Sequence, residues 1–132
     1  MQISSDARDL AKYTDLAVHT LVGGIDYSKQ LRLLEKKHCD ILVGTPGRLL
    51  DFANNKDIHL DQLEILVIDE ADRMLDMGFV LDVRKIIAAL PKNCQSLMFS
   101  ATMPSEIAHL SNEILSRPTH IEVATQSTPI KA

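Results

Sequence analysis

Ile65-Leu66-Val67-Ile68-Asp69-Glu70-Ala71-Asp72 is the stretch from which the fold can be read. Ile65 to Ile68 are apolar without alternation, the pattern of a short strand buried on both faces of a parallel sheet. Three carboxylates follow within four positions. Such groups resist desolvation unless they are paired or hold a cation. At the carboxyl end of a parallel strand they face the crevice in which these sheets take ligands. Hard oxygen donors there suit Mg²⁺ beside a phosphate substrate, with Asp69 and Glu70 as the candidate pair. The plainer alternative is that the chain has simply reached water.

Working outward, strands and helices alternate. Toward the C-terminus, residues after Asp72 predict a short helix stopped near Gly78. A longer helix follows over Phe79 to Leu90, with Val83, Ile86 and Ile87 at helical spacing and Pro91 closing it. Ser96 to Phe99 reads as another buried strand, leading into Ser100-Ala101-Thr102, where Thr102 can cap the next helix. Ile107, Leu110, Ile114 and Leu115 give that helix its stripe, and Ile121 to Val123 predict a last strand.

Toward the N-terminus, Asp40 to Gly44 is a buried strand. It runs into Thr45-Pro46-Gly47-Arg48, with Thr45 at an N-cap and Pro46 at the first helical position. Gly47 leaves its N–H uncovered and Arg48 adds a forked donor, so this helix start can hold a phosphate. An ordinary capped start, with Arg48 paired to a neighbour, is the equal alternative. Tyr27 to Lys37 predicts a helix with Tyr27, Leu31 and Leu34 on its apolar stripe and Lys29, Arg32, Lys36 and Lys37 on solvated faces. Leu16 to Val22 reads as a strand ending in Gly23-Gly24, first of all a turn, although paired glycines also admit a ligand close to the backbone. A helix over about Ser5 to Tyr13, with Ala7, Leu10 and Ala11 on one face, opens the chain. The alternation predicts an α/β fold with a parallel sheet and right-handed crossovers.

Composition sets limits. The chain has 132 residues, 45% hydrophobic and 24% charged, enough for one domain with a core. A net charge of −4 provides no global field for nucleic acid, so phosphate contacts must be local. Cys39 and Cys94 match no metal spacing and suit a reducing, cytoplasmic setting. No apolar run has the length of a membrane span, and no signal-peptide pattern opens the chain.

Taken in order, Gly23-Gly24, Thr45-Pro46-Gly47-Arg48, Asp69-Glu70-Ala71-Asp72 and Ser100-Ala101-Thr102 resemble the motifs of the first RecA-like domain of DEAD-box RNA helicases. The run from Val67 to Phe79 is also close to the family pattern. The resemblance covers residues 1–124 and implies a RecA-like, P-loop NTPase-type α/β domain, with residues 125–132 as the start of an interdomain linker. It implies ATP and Mg²⁺ as the parent protein's substrate and cofactor. Asp69 would hold Mg²⁺ through water, and Glu70 would orient and deprotonate the attacking water. Asp72 would bond Ser100 and Thr102, coupling nucleotide to RNA. Gly23, Gly24, Thr45, Gly47 and Arg48 would contact the RNA backbone, which positions a strand without reading its sequence.

The family's P-loop is missing from these residues, which contain no Gly-Lys pair. The expectation is therefore a part of an ATP-dependent RNA helicase that, alone, neither binds ATP tightly nor hydrolyses it. Its partners would be RNA and a second RecA-like domain. The alternative is a non-enzymatic RNA-binding or interaction module. In RecA-like sheets the P-loop strand lies beside the strand ending at Ser100. Without it, the Ser96 to Phe99 strand is expected to be an open apolar edge, prone to self-association.

Overall fold

The computed structural model describes residues 2–123. The order is α1 (Gln2–Ala11), β1 (Val18–Leu21), α2 (Tyr27–Lys36), β2 (Ile41–Gly44), α3 (Pro46–Asn54), a 3₁₀ turn (Leu60–Gln62), β3 (Ile65–Ile68), α4 (Ala71–Asp76), α5 (Val80–Ala88), β4 (Gln95–Met98) and α6 (Ser105–Ile114). Most elements lie where the apolar periodicity places them: β1, α2, β2 and α5 are one or two residues shorter at their ends, β4 is shifted one residue toward the N-terminus, and α1 begins three residues earlier than expected, at Gln2.

The strands form two parallel pairs rather than one sheet. β1 pairs with β2 in the register Leu21↔Gly44, and β3 pairs with β4 in the register Ile68↔Met98. No described strand lies between the pairs; α3 against α5 joins the halves. Apolar runs specify that a segment is a strand, whereas its neighbours depend on which chain segments lie beside it.

Two further expectations fail for the same reason. β3 is covered on one face only: Ile68 is buried, but Ile65 and Val67 are each 55% exposed. Ile121 to Val123 is not a strand but exposed irregular chain. A strand needs a partner for its backbone groups, and none of the described strands runs beside it. The proposed linker, residues 125–132, lies outside the described residues.

The core beneath β3 and β4 consists of Ile68, Ala71, Val83 and Ile107, with Leu66, Met74, Leu75, Ile87, Met98 and Ile114 against it. In the other half Leu21 and Phe52 are fully buried, and Phe52 stacks on Tyr27 with ring centroids 4.1 Å apart. α1 turns a different face inward from the one its leucine suggests. Ser4 and Ala11 are buried and Leu10 is 85% exposed. The 2.6 Å hydrogen bond between the Ser4 and Thr20 hydroxyls fixes that face against β1.

Gly78 ends α4 at φ +78°. Its N–H donates to the Leu75 carbonyl, and the Phe79 N–H donates to that of Met74, a Schellman closure that requires a left-handed residue. This turn sets Phe79 at the start of α5. No helix among the described residues is long and apolar enough to cross a membrane.

Candidate functional site

The candidate residues fall into two groups. The first is at the carboxyl ends of β3 and β4. Past Ile68, the Phe99 N–H donates to the Ile68 carbonyl at 2.8 Å, and the Ala71 N–H to the Phe99 carbonyl at 3.0 Å. The two strand ends are thereby laced together just beyond the sheet. Asp69 lies half-buried there, its Oδ1 accepting from the Glu70 N–H at 2.9 Å.

Glu70 has φ +53°, ψ +49°, a left-handed conformation for a residue with a Cβ. This costs roughly 1–2 kcal/mol relative to ordinary backbone. It turns the chain sharply from β3 into α4. The Glu70 carboxylate stays exposed, 3.4 Å from Arg73 Nη1.

Asp72, in the first turn of α4, reaches across to the segment after β4. Its Oδ2 accepts from the Thr102 hydroxyl at 2.8 Å and from the Thr102 N–H at 3.1 Å. The Asp72 N–H donates to Ser100 Oγ at 3.2 Å, and that hydroxyl donates to the Thr102 carbonyl at 2.7 Å. The Thr102 hydroxyl bond, helped by backbone N–H donors, holds the Asp72 carboxyl below its ordinary range. Thr102 therefore does not cap α6: Pro104 occupies that position, and no side chain caps it.

The second group lines an open cleft of about 540 Å³ formed by Val22, Gly23, Thr45, Gly47, Arg48, Asp51 and Phe79. Gly24 lies next to it, in a turn at φ +83°. Thr45 is the N-cap residue of α3 but makes no capping side-chain hydrogen bond. Arg48 is held from behind. Its Nη1 donates to the Ile25 carbonyl at 3.0 Å and to Gln30 Oε1 at 3.2 Å, and its guanidinium lies over the Tyr27 ring at 5.8 Å. Tyr27 in turn donates its hydroxyl to Asp57 and accepts from Asn55 Nδ2 at 3.0 Å. Burial and then the Asp57 carboxylate push the Tyr27 phenol above its ordinary value.

The groups are linked. α4 leads from Asp72 through Gly78 to Phe79, which lines the cleft. Among the described residues no three His, Cys, Asp or Glu side chains form a metal cage. Asp69 fits a divalent ion as one hard oxygen donor, which is all that a Mg²⁺ retaining most of its waters takes from protein.

A profile of DEAD/DEAH box helicases matches residues 1–110. The chain belongs to the DEAD/DEAH box helicase family. It is 52% identical, over 93% of its length, to the ATP-dependent RNA helicase RhlB of Pseudomonas syringae pv. tomato, and covers 32% of that protein. It is 41% identical, again over 93% of its length, to the DEAD-box ATP-dependent RNA helicase CshA of Bacillus cereus, covering 23% of it. A crystal structure of a hypothetical ATP-dependent RNA helicase from Sulfolobus tokodaii superposes with a TM-score of 0.81 at 38% identity. That match covers 88% of this chain and 34% of the other. The DEAD-box chain thus spans about a third or less of the relatives it matches, and its fold is the RecA-like α/β type of helicase domains.

Three residues of this helicase segment escape a motif reading. Gln30 is buried, its Nε2 donating to the Val22 carbonyl at 3.1 Å while its Oε1 receives Arg48. Its signal was there: a polar residue among Tyr27, Leu31 and Leu34 on one stripe. Gly44 packs so closely that a Cβ would lie 2.7 Å from the Leu21 carbonyl oxygen. Phe79, directly after the left-handed Gly78, lines the cleft.

Proposed function

We propose that this chain is the part of an ATP-dependent RNA helicase that joins nucleotide hydrolysis to the grip on RNA. The observation that carries the reading is the Asp72–Thr102–Ser100 hydrogen-bond set, directly beside Asp69 and the left-handed Glu70. A change at the nucleotide-side carboxylates reaches the strand-end hydroxyls through one side chain.

In this reading Mg²⁺, when bound, neutralises charge developing on the transferred phosphoryl group. Asp69 would hold that ion through water, as a hard oxygen donor. Glu70 accepts a proton from the attacking water; its carboxylate is exposed, 3.4 Å from Arg73 Nη1. Asp72 transmits position between α4 and the segment from Ser100 to Thr102. Gly23, Gly24, Thr45, Gly47 and Arg48 take the RNA sugar–phosphate backbone. The uncapped α3 start and the uncovered Gly47 N–H supply donors, and Arg48 a braced cation. RNA is then held without regard to sequence. The second RecA-like domain of the parent is the partner across the site, and a cytoplasmic setting belongs to the same reading.

Residues 1–132 alone are expected to hydrolyse no ATP, because their sequence contains no Gly-Lys pair of the kind with which a P-loop cradles phosphates. ATP binding measured on this chain, and on a chain of the relatives' full length that carries it, tests this. Binding by the longer chain only is expected; no gain from the longer chain refutes the reading.

A second reading, an RNA-binding module without catalysis, is favoured by the open cleft at Gly23, Thr45, Gly47 and Arg48, which no residue of the Asp69–Asp72 group lines. It predicts weak, salt-sensitive RNA binding by the chain alone. Self-association is a third property we propose, through the unpaired edge of β4 and the exposed face of β3 at Ile65 and Val67. Light scattering across a concentration series checks it; a monomer at every concentration excludes it.

A further inference from the structure

We propose that a basic groove along the unpaired edge of β1 is a second contact site for nucleic-acid phosphates. The identity of the polyanion rests on the RNA reading above; the groove itself does not.

The groove has a volume of about 260 Å³ and lies between α1, β1 and the C-terminal half of α2. Its floor is β1, which pairs with β2 and with no other described strand. Arg8, His19, Lys36 and Lys37 line it, brought from three different places in the chain, and no carboxylate does. Among the described residues Arg8, Lys36 and Lys37 make no ion pair, although acidic side chains outnumber basic ones, 18 to 14.

Arg8 is aimed rather than loose. Its Nη2 donates to Thr20 Oγ1 at 3.2 Å, and Thr20 is fixed in turn by its 2.6 Å bond to buried Ser4. His19 is oriented by donating Nε2–H to the His38 carbonyl at 3.1 Å. Cations at the end of α2 also complement the negative end of that helix, which accounts for Lys36 and Lys37. It does not account for Arg8 and His19 facing the same hollow from α1 and β1.

Convergent cations without a carboxylate wall suit phosphate. Position favours nucleic acid over an acidic peptide. Gln30 lines this groove, and the same side chain holds Arg48 and the Val22 carbonyl behind the proposed RNA cleft. Gln30 therefore connects the lining of the groove to two residues that line the cleft, Val22 and Arg48. An acidic peptide added to β1 would have only a four-residue edge to pair with.

The test is residue-resolved amide NMR on the 132-residue chain, titrated with single-stranded oligouridylate and, separately, with oligoglutamate. The groove amides of Thr20, Leu33, Lys36 and Lys37 are expected to shift with oligouridylate. Lys36→Glu with Lys37→Glu should abolish those shifts and leave those of Gly23 and Gly47. It should also reduce the slope of log affinity against log salt by about 1.4, at about 0.7 per lost phosphate contact. If the charge-reversed pair fails to fold, Lys36→Gln with Lys37→Gln decides by the same criteria. Silent groove amides beside responsive Gly23 and Gly47 overturn this site and leave the RNA reading standing. Responsive groove amides beside silent Gly23 and Gly47 support the site and refute the cleft. Silence at both refutes both, and shifts with oligoglutamate alone assign the groove to an acidic protein instead.

Discussion

Asp72 and Thr102, thirty positions apart, are joined twice through one carboxylate oxygen: by the Thr102 hydroxyl at 2.8 Å and by its N–H at 3.1 Å. These bonds favour the ionised carboxylate, so the folded-state pKa of Asp72 lies below its unfolded value. The stability it contributes is present above the ordinary aspartate range and is lost as pH falls through the depressed folded value. Acid titration of the thermal midpoint should show this for the unaltered chain. Thr102→Val, which deletes the first donor, should lower the midpoint at neutral pH and flatten its dependence between the two pKa values. An unchanged acid profile in Thr102→Val would remove the link.

The left-handed backbone at Glu70 predicts a stability difference unrelated to its carboxylate. Glu70→Gly relieves the strained φ, whereas Glu70→Ala keeps it. Both lose the Arg73 contact. Urea denaturation should place the glycine variant above the alanine variant by about 1 kcal/mol, the size of the left-handed penalty. Equal stabilities would mean that this residue is unstrained in solution.

Gly44 and Gly23 should behave oppositely. A Cβ at Gly44 would lie 2.7 Å from both the Leu21 carbonyl oxygen and Leu49 Cδ2, whereas one at Gly23 meets nothing within 4 Å. Gly44→Ala is therefore expected to destabilise by about 1–3 kcal/mol, as overpacking does. Gly23→Ala should leave folding unchanged and act, if at all, on RNA. Denaturation midpoints separate the two; a tolerated Gly44→Ala would show that the strand and α3 can move apart.

Much of this was legible beforehand. The uninterrupted run at Ile65 to Ile68 and the stripe of α5 located their elements, because local periodicity is a property of local sequence. The pairing of β3 was not legible: the same four residues fit a strand covered twice or once, and Ile65 and Val67 prove uncovered. The inward face of α1 was misread because a serine, hydrogen-bonded to Thr20, displaces Leu10. At the site, motif spacing located the candidate residues. It could not show that Arg48 leans on Gln30 and Ile25, since those bonds span 18 and 23 positions and belong to the folded chain.

That bracing makes Arg48→Lys a non-conservative change. A guanidinium nitrogen serves two protein acceptors while the rest of the fork faces the cleft; an ammonium is a single point charge without that planar fork. Filter binding of single-stranded RNA should weaken in Arg48→Lys nearly as much as in Arg48→Ala, uniformly across sequences. The alanine variant should lose about 0.7 from the salt slope, one phosphate contact. Full binding by Arg48→Lys would reduce Arg48 to a source of charge alone.

The most direct test of the whole account is RNA-stimulated ATP hydrolysis in a chain of the relatives' full length that carries these residues, with Glu70→Gln as the only change. The substitution keeps the side chain's size and removes its capacity to take a proton. The account predicts a fall in turnover of roughly 10²-fold or more, the scale of a lost general base, with ATP and RNA still bound. Hydrolysis at the unaltered rate would contradict it.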